Sequence, residues 1–278
     1  MPELPEVECL TRAVQHVLEG RRLIGTTFHR SDLRWPIPIE DFNERFVGQT
    51  ILKVSRRSKY LLLTSKKGYG IFHLGMSGNI LLSQDEQSSW KHTHASLTIE
   101  GDHEHDRRYL HFVDPRRFGC ILSCSTEAFP EHHLFKKLGP EPLEALNLAA
   151  HLAARAEDKT VAVKNFLMDA HNVVGVGNIY ANEALFRAGV RPSRKACRVK
   201  EHEWEQLARA IQEVLKAAIQ AGGTSFRDYR HVDGEPGYFE VALAVYGRKD
   251  QACQRCGGGI RLSKIGGRAT YFCPSCQR

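Results

Sequence analysis

The sequence contains 278 residues, of which 42% are hydrophobic and 26% are charged; these values are typical of globular proteins and exclude a fibrous or wholly disordered chain. The length predicts about two domains, and no stretch approaches about eighteen consecutive apolar residues, which excludes a transmembrane helix. Lys and Arg exceed Asp and Glu by 39 − 32 = 7. The start of the chain is acidic and has no signal-peptide profile. The sequence therefore predicts a soluble, cytoplasmic protein that does not bind a membrane.

The first residues, MPELPEVE, predict a helix over residues 5–19, since a proline suits its first turn and Gly20 ends it. Removal of Met1 would expose the secondary amine of Pro2. An α-amino group has a pKa of about 7.7–8.0 and is therefore partly neutral at pH 7. Such an amine can act as a nucleophile, and Glu3 beside it can act as a general acid or base. A frayed terminus is the alternative interpretation.

From Leu23 to about Cys124, short apolar stretches alternate with glycines and charged turns, which predicts an antiparallel β-sandwich. The predicted strands are Ile51–Val54, Tyr60–Thr64, Gly70–Leu74, Ala95–Ile99 and Tyr109–Val113. The same region contains a group of histidines that we expect to be solvated rather than to bind a second metal ion. These are His92, His94, His103, His105 and His111.

Two loops of this region carry residues suited to nucleic acid. In Asp114–Gly119, paired arginines and an aromatic residue suit phosphate contact and insertion into a base stack; the alternative is a surface turn with a buried Phe118. In His73–Gly78, Met76 lies on a loop that contains glycines, where burial in the core is the alternative. A further cationic group consists of Arg56, Arg57 and Lys59.

Residues 129–147 contain Pro, Gly and His and predict a linker, after which the apolar period becomes helical. Before a helix predicted over Ile179–Ala188, the segment Val173–Asn178 has two glycines that allow close backbone approach, and Asn178 suits the N-cap. A phosphate site at the helix N-terminus and a tight turn between helices both fit these residues. The other predicted helices are Val161–Asp169 and one striped by apolar residues from Trp204 to Ala218.

The C-terminal part begins with Thr224–Tyr238, which has glycines, a proline and few aliphatic residues and predicts a long mobile loop. From Leu243 to Arg278 there are seven basic residues and one acidic residue. A compact basic tail favours a polyanionic partner such as nucleic acid. A solvated basic surface is the alternative.

Four cysteines near the C-terminus have the spacing of a zinc ribbon, two Cys-x-x-Cys pairs separated by sixteen residues. Four thiolates leave no open coordination position, so the predicted zinc is structural; two redox pairs are the alternative. The residues between the pairs predict two short strands, Ile260–Ile265 and Ala269–Phe272. The cysteines are Cys253, Cys256, Cys273 and Cys276.

Several segments follow one another in a specific order: PELPEVE, RRSKYLLL, HLGMSG, DPRRFG, LGPEPL, VVGVGNIYANEALF, PGYF, VYGRK and the zinc ribbon. Over the whole chain they resemble the formamidopyrimidine-DNA glycosylase family of base-excision repair enzymes. The resemblance implies a two-domain α+β fold. Its parts are an N-terminal antiparallel β-sandwich with an N-terminal helix (1–130, catalytic), a linker (131–150), a helical domain with a helix–two-turn–helix motif (151–243) and a zinc-ribbon hairpin (244–278).

The resemblance also implies a bifunctional glycosylase and AP lyase that removes oxidised purines, 8-oxoguanine and formamidopyrimidines, from duplex DNA. Pro2 would attack the sugar C1′ and form a Schiff base, and Glu3 would donate a proton in base release. Lys59 would bind phosphate and assist β-elimination. Arg268 would assist δ-elimination.

For DNA binding, the resemblance implies that Met76, Arg116 and Phe118 fill the void left by an everted nucleotide. The loop from Thr224 to Tyr238 would close over the flipped base. The implied protein is a monomer that binds damaged double-stranded DNA and one structural Zn²⁺ and uses no nucleotide cofactor. The other implied DNA contacts are His73, His92, Arg117, Lys159 and Asn178.

Two other functions remain open from the sequence. A related endonuclease of the same fold prefers oxidised pyrimidines, but its N-terminus resembles PEGPE and it lacks the Met/Arg/Phe triad, so this chain favours oxidised purines. A catalytically inactive zinc-ribbon protein that binds DNA or RNA would also explain the basic tail. Ser58, where the family motif has a small alanine, departs from the pattern without touching the implied chemistry.

Overall fold

The computed structural model describes residues 2–87, 90–101, 103, 106–222 and 243–278. The chain divides into two compact units. The first contains Glu6–Lys136, and the second contains Glu3–Pro5, Lys137–Ala221 and the described residues 243–278. The loop predicted from Thr224 to Tyr238 lies outside the described residues. Among the helices of the described ranges, none is long and apolar enough to cross a membrane.

The first unit is an antiparallel β-sandwich, as predicted. Its two four-stranded sheets have the strand orders β1-β6-β7-β5 and β2-β3-β4-β8. The strands are β1 (Leu23–Phe28), β2 (Lys53–Arg57), β3 (Tyr60–Ser65), β4 (Gly68–His73), β5 (Asn79–Ser83), β6 (Thr93–Glu100), β7 (Arg107–Val113) and β8 (Cys120–Cys124).

One hydrophobic core joins both sheets to the N-terminal helix α1 (Leu4–Leu18). Val7, Leu10 and Val14 recur at helical spacing on α1 and are at most 1% exposed, so the apolar stripe of the sequence is its buried face. A second helix, α2 (Ile39–Phe46), was not predicted. It has only eight residues, too few for a helical period to stand out in the sequence.

The second unit is built mainly from helices: α3 (Leu148–Ala156), α4 (Val163–Met168), α5 (Asn178–Arg187) and α6 (Glu201–Gln220). A single apolar core includes residues of all four. The predicted stripe of α6 is buried, with Trp204 at 2% and Leu207, Leu215 and Ala218 at 0% exposure. The sequence did not predict α3, whose alanines blur the contrast between its two faces.

The second unit ends in a two-stranded antiparallel hairpin, β9 (Arg261–Ile265) and β10 (Arg268–Phe272). Both strands were predicted. Gly266 and Gly267 form the turn with φ of +57° and +76°, the left-handed conformation that two-residue hairpin turns require and glycine adopts at low cost. The hairpin is packed by a small core of its own, which includes Phe186, Val245, Ile260 and the cysteines Cys253 and Cys273.

Candidate active site

Glu3 is held at the N-terminus of α5. Its side chain is 1% exposed; Oε2 accepts a hydrogen bond from the amide of Gly177 at 2.8 Å, and Oε1 accepts one from Ile179 at 3.1 Å. The first amides of a helix have no partner inside the helix and favour a negative group. The carboxylate of Glu3 therefore occupies the anion position of α5.

The arrangement corrects one prediction about the turn before α5. Asn178 is the first residue of the helix, the N-cap is Gly177, and no side chain of the cap residue bonds to the first turn. The expected capping by Asn178 is therefore wrong, because Glu3 supplies the acceptor from outside the helix. Glu3 thus uses the amides of Gly177 and Ile179, two of those that the sequence offered to a phosphate.

The glycines of this turn make room for the N-terminal segment. A Cβ on Gly177 would lie 2.2 Å from Cδ of Glu3, and a Cβ on Gly175 would lie 2.4 Å from Leu4. The amide of Leu4 also donates to the carbonyl of Gly175 at 3.2 Å. The close backbone approach predicted from the two glycines is thus an approach to residues 3–4 of the chain itself.

Arg268 stands at the start of β10, with its side chain exposed, and pairs across the hairpin turn with Ile265. Lys164 reaches the same strand from α4. It is 0% exposed, and its Nζ donates to the carbonyl of Ala269 at 2.8 Å and to Oγ1 of Thr270 at 2.7 Å. Burial and, after it, the positive charge of Arg268 lower the pKa of Lys164 to about 8.

Helix α5 contacts β10 through two asparagines. Nδ2 of Asn178 donates to the carbonyl of Ala269 at 3.2 Å. One helical turn later, Oδ1 of the fully buried Asn182 accepts the amide of Tyr271 at 2.8 Å. The helix that binds Glu3 at its N-terminus therefore also fixes the strand that begins with Arg268.

In the first unit, Lys59 lies at the tip of the β2–β3 hairpin. Arg57 pairs with Tyr60, which leaves Ser58 and Lys59 as a two-residue turn. Ser58 has φ of +57°. The guanidinium of Arg56 donates to the carbonyl of Ser58 at 2.8 Å and to Glu8 of α1 at 2.9 Å, so the turn that carries Lys59 is tied to α1.

Met76, Arg116 and Phe118 lie on two neighbouring loops of the first unit. Gly75 approaches the other loop so closely that a Cβ there would be 2.5 Å from the backbone of Phe118. Met76 is 41% and Phe118 45% exposed, so the alternatives of a core methionine and a buried phenylalanine are wrong. The guanidinium of Arg116 stacks over the Phe118 ring at 4.7 Å.

The buried carboxylate of Asp114 holds these two loops together. It is 0% exposed; Oδ1 accepts hydrogen bonds from the hydroxyl of Ser77 at 3.0 Å and the amide of Arg116 at 3.3 Å, and Oδ2 accepts the amide of Gly119 at 2.8 Å. Its own amide donates to the carbonyl of His92 at 3.1 Å. Asp114 therefore connects the two loops that carry the predicted triad to each other and to the backbone of His92.

The other predicted DNA contacts lie at different places. His73 is partly buried: its Nδ1 accepts the amide of Gly75 at 3.0 Å, and burial, followed by the charges of Lys59 and Arg34, lowers the pKa of His73 to about 4. Arg117 is exposed beside Arg116, with φ of +57°. Lys159 is exposed in the segment after α3 of the second unit.

The expectation of solvated histidines is wrong for two of them. His94 and His111 are 6% and 0% exposed, and burial lowers the pKa of each. His94 bonds through Nε2 to the carbonyl of Asp114 at 2.8 Å, and His111 bonds through Nδ1 to the hydroxyl of Ser96 at 2.8 Å. They are structural residues of the sandwich. His105 lies outside the described residues.

The four cysteines of the ribbon converge. Their sulfur atoms all lie within 4.8 Å of one another, with Cys253 and Cys276 at 3.9 Å and Cys256 and Cys273 at 3.5 Å. Tetrahedral zinc with bonds of about 2.3 Å separates its sulfur ligands by about 3.8 Å. The residues present thus fit one zinc ion with no open coordination position. Within the described part of the chain, no other group of three or more His, Cys, Asp or Glu residues converges in this way.

The sequence did not single out three residues that organise these sites. Asp114 opens the DPRRFG segment, and the Pro and Gly after it are a turn signal that could have identified its side chain as a turn acceptor. Asn182 follows Asn178 by four residues and therefore lies on the same face of α5. Lys164 is the only charged residue of the mostly apolar segment VAVKNFLM; a charge in such a segment indicates that it is buried with a hydrogen-bonding partner.

Comparison with known proteins is consistent with these sites. Three family profiles match: the formamidopyrimidine-DNA glycosylase N-terminal domain over residues 1–121, the formamidopyrimidine-DNA glycosylase H2TH domain over 138–230, and a zinc finger found in FPG and IleRS over 250–278. The formamidopyrimidine-DNA glycosylase of Methylococcus capsulatus is 45% identical over 278 residues, which cover 100% of both chains.

Solved structures agree with this relationship. A variant of the Lactococcus lactis FPG in complex with a Fapy-dG containing DNA has a TM-score of 0.89 and 31% identity, with 100% of both chains covered. MutM in complex with carbocyclic 8-oxo-G containing DNA has a TM-score of 0.88 and 31% identity, again with 100% of both chains covered. The chain therefore belongs to the formamidopyrimidine-DNA glycosylase family and is a base-excision repair DNA glycosylase with one structural zinc ion.

Proposed function

We propose that this protein removes oxidised purines, 8-oxoguanine and formamidopyrimidines, from duplex DNA and then cleaves the strand by β,δ-elimination. The observation that carries the proposal is the position of Glu3, whose carboxylate is fixed by backbone amides of α5 immediately after Pro2 in the chain. Relatives with bound Fapy-dG and 8-oxo-G DNA support the substrate class. The exposed triad with Met76 and Phe118 supports purine rather than pyrimidine lesions.

In this mechanism, removal of Met1 makes Pro2 the terminal residue. Its neutral amine attacks C1′ of the lesion and the bond from C1′ to the base breaks. The Glu3 carboxylate takes up the proton that the amine loses and delivers it to the departing base. The nitrogen lone pair then opens the sugar ring, O4′ takes a proton from water, and an iminium forms between Pro2 and C1′. Because a proline imine carries no proton on nitrogen, it remains cationic and withdraws electrons from the sugar.

The electron-poor sugar then undergoes two eliminations. Loss of a proton from C2′ expels the 3′-phosphate, assisted by Lys59. Loss of a second proton expels the 5′-phosphate, assisted by Arg268, and water releases the sugar fragment from Pro2. The strand is left with a one-nucleotide gap that has phosphate at both ends.

The proposed DNA contacts come from several segments of the chain. Met76, Arg116 and Phe118 fill the hole left by the everted nucleotide, whose extrusion costs a few kcal/mol. The lesion is enclosed by the segment from Thr224 to Tyr238. The other DNA contacts are His73, His92, Arg117, Lys159 and Asn178.

The same proposal covers the organisation of the protein. It acts as a monomer in the cytoplasm, associated with the nucleoid through DNA, and needs no nucleotide cofactor. Its functional segments are the catalytic β-sandwich (1–130), a linker (131–150), the helical region (151–243) and the zinc hairpin (244–278).

Borohydride trapping on an abasic duplex tests the proposal, because only a Schiff base is reduced to a covalent adduct. We expect the protein to be trapped and Pro2→Gly to lose trapping while it keeps duplex affinity. A protein that binds the duplex without trapping would be an inactive nucleic-acid-binding relative. Excision of 8-oxoguanine opposite cytosine is expected to be faster than excision of thymine glycol, and the reverse ratio would assign the protein to oxidised pyrimidines.

A further inference from the structure

Among the described residues, the outer edge of β10 is held by side chains and not by another strand. In the β9–β10 hairpin, Arg268 pairs with Ile265 next to the turn, and Tyr271 pairs with Leu262. Hydrogen-bonded and non-hydrogen-bonded pairs alternate in an antiparallel hairpin, so the carbonyl of Ala269 and the amide of Tyr271 point away from β9. Such an exposed edge needs partners from elsewhere in the fold.

Asn182 is the partner of the amide. Its side chain is fully buried, its Oδ1 accepts from Tyr271 at 2.8 Å, and its Nδ2 donates to the carbonyl of Asn178. Both ends of the carboxamide are therefore used, one inside α5 and the other on the hairpin. Removal of this side chain would leave the partly buried amide of Tyr271 without its partner and would release β10 from α5 at this point.

The other contacts of this edge come from residues placed differently. Lys164 and Asn178 both donate to the carbonyl of Ala269, next to Arg268. The tip of the turn packs closely against α4: a Cβ built on Gly266 would lie 2.4 Å from the side chain of Asn165. Asn182 alone among these residues bonds the strand at Tyr271, three residues beyond Arg268, and so sets the direction in which β10 leaves the turn.

We infer that Asn182 is a positioning residue for the second elimination: it fixes β10 to α5 and thereby places Arg268 for release of the 5′-phosphate. The inference rests on the proposed role of Arg268. It predicts a selective defect, because the amides of Gly177 and Ile179 that hold Glu3 do not bond to the Asn182 side chain, whose bond within α5 is to the carbonyl of Asn178.

The test follows cleavage of an abasic duplex labelled at the 5′ end, under single-turnover conditions. The product of β-elimination alone ends in an unsaturated aldehyde, and the product of both eliminations ends in a 3′-phosphate. For Asn182→Ala we expect the second elimination to slow by about tenfold or more, since misplacement of a catalytic group by about 1 Å can cost a hundredfold. Excision of 8-oxoguanine and borohydride trapping should stay within about twofold of the unsubstituted protein.

Two further variants separate positioning from general loss of structure. Asn182→Asp keeps the oxygen that accepts the Tyr271 amide and loses the donor to Asn178, so it should restore more of the second elimination than Asn182→Ala does. Asn172→Ala removes another buried asparagine of the same unit, one that bonds to Phe166 and Arg155 rather than to the hairpin, and should leave the product ratio unchanged.

The outcomes are distinguishable. If the unsubstituted protein stops at the unsaturated aldehyde, the role proposed for Arg268 fails and the inference falls with it. If the unsubstituted protein completes both steps and folded Asn182→Ala does so at the same rate, only the inference is overturned. Asn182→Leu, with nearly the same side-chain shape and no acceptor, gives the same test if the alanine variant does not fold. An equal slowing of excision and of both eliminations would also overturn it, since that is a general structural defect.

Discussion

The carboxylate of Glu3 occupies the space in which a side chain at position 177 would stand. Cδ of Glu3 lies 2.2 Å from the point where a Cβ on Gly177 would be, and the amide of Gly177 donates to Oε2 at 2.8 Å. The φ of Gly177 is −111°, which any residue can adopt. Glycine is needed here for space alone, so the two positions form one structural unit although 174 residues separate them.

Gly177→Ala therefore tests the placement of Glu3. The methyl group must displace the carboxylate or the helix terminus, and overpacking of this kind costs typically about 1–3 kcal/mol of stability. Because general acid–base catalysis contributes about 10²–10⁴-fold, we expect excision of 8-oxoguanine to fall by about a hundredfold. Single-turnover excision kinetics measure this directly.

A glycine in an uncrowded place provides the control. A Cβ on Gly25 of β1 would meet only Thr98, at 3.7 Å, which is ordinary contact, so Gly25→Ala should keep full excision. Borohydride trapping on a preformed abasic site requires no base release. In Gly177→Ala, trapping should therefore decrease less than excision of 8-oxoguanine does. Unchanged excision in that variant would mean that Glu3 does not act from this position.

The features predicted best from the sequence are those that depend on local spacing. The two Cys-x-x-Cys pairs and the glycines between β9 and β10 define the zinc hairpin within about 25 residues, and the stripe of α6 repeats every three or four positions. The position of Glu3 could not be read in this way, since its partners Gly177 and Ile179 are distant in sequence. The residues around Gly175 and Gly177 do not show whether these glycines make room for a ligand or for the N-terminal segment.

The two loops with the predicted triad illustrate the same limit. In DPRRFG and HLGMSG, the exposed role of Phe118 and Met76 followed from the family resemblance and not from the residues alone. The association of the two loops depends on Asp114, whose carboxylate bonds to Ser77 in the other loop. A turn-forming aspartate is expected to bond within its own turn. The hydrogen bond from Ser77 in the other loop to Asp114 could be foreseen only from the strand pairing that brings the two loops together.

Phe118→Ala tests the triad without disturbing the core. Phe118 is 45% exposed and packs against the guanidinium of Arg116, so its loss should change the free energy of unfolding by no more than about 0.5 kcal/mol. Excision from a fully paired 8-oxoguanine duplex should fall about tenfold, because filling the hole offsets part of a flipping cost of a few kcal/mol. Leu52→Ala, at a residue 49% exposed, is the matched control; an equal loss there would refute a specific role.

Cys273→Ser tests the structural role of zinc. Cys273 is 0% exposed and belongs to the small core of the hairpin, so loss of this ligand should release the metal and loosen β10. We expect zinc content by atomic absorption and duplex affinity by fluorescence anisotropy to fall together. Cys197→Ser, outside the ribbon, should change neither. A Cys273→Ser protein that keeps both would show that the hairpin holds without the full set of ligands.

Lys164 predicts a pH dependence of stability. Its pKa is lowered from 10.5 to about 8, first by burial and then by Arg268. Below about pH 8 the lysine is charged in both the folded and unfolded states. Between about 8 and 10.5 the unfolded chain binds a proton that the folded chain does not, so the stability contribution of Lys164 rises with pH.

The comparison that isolates this effect is the difference in free energy of unfolding between the unsubstituted protein and Lys164→Met, measured in denaturant at several pH values. Other tyrosines and cysteines titrate in both proteins and cancel. The lost bonds to Ala269 and Thr270 add a constant offset, because they are absent from the variant at every pH. From about pH 7 to about pH 9.5 the difference should move in favour of lysine by about 2 kcal/mol. Parallel curves would mean that the buried amine stays protonated throughout, held as a cation against the hairpin.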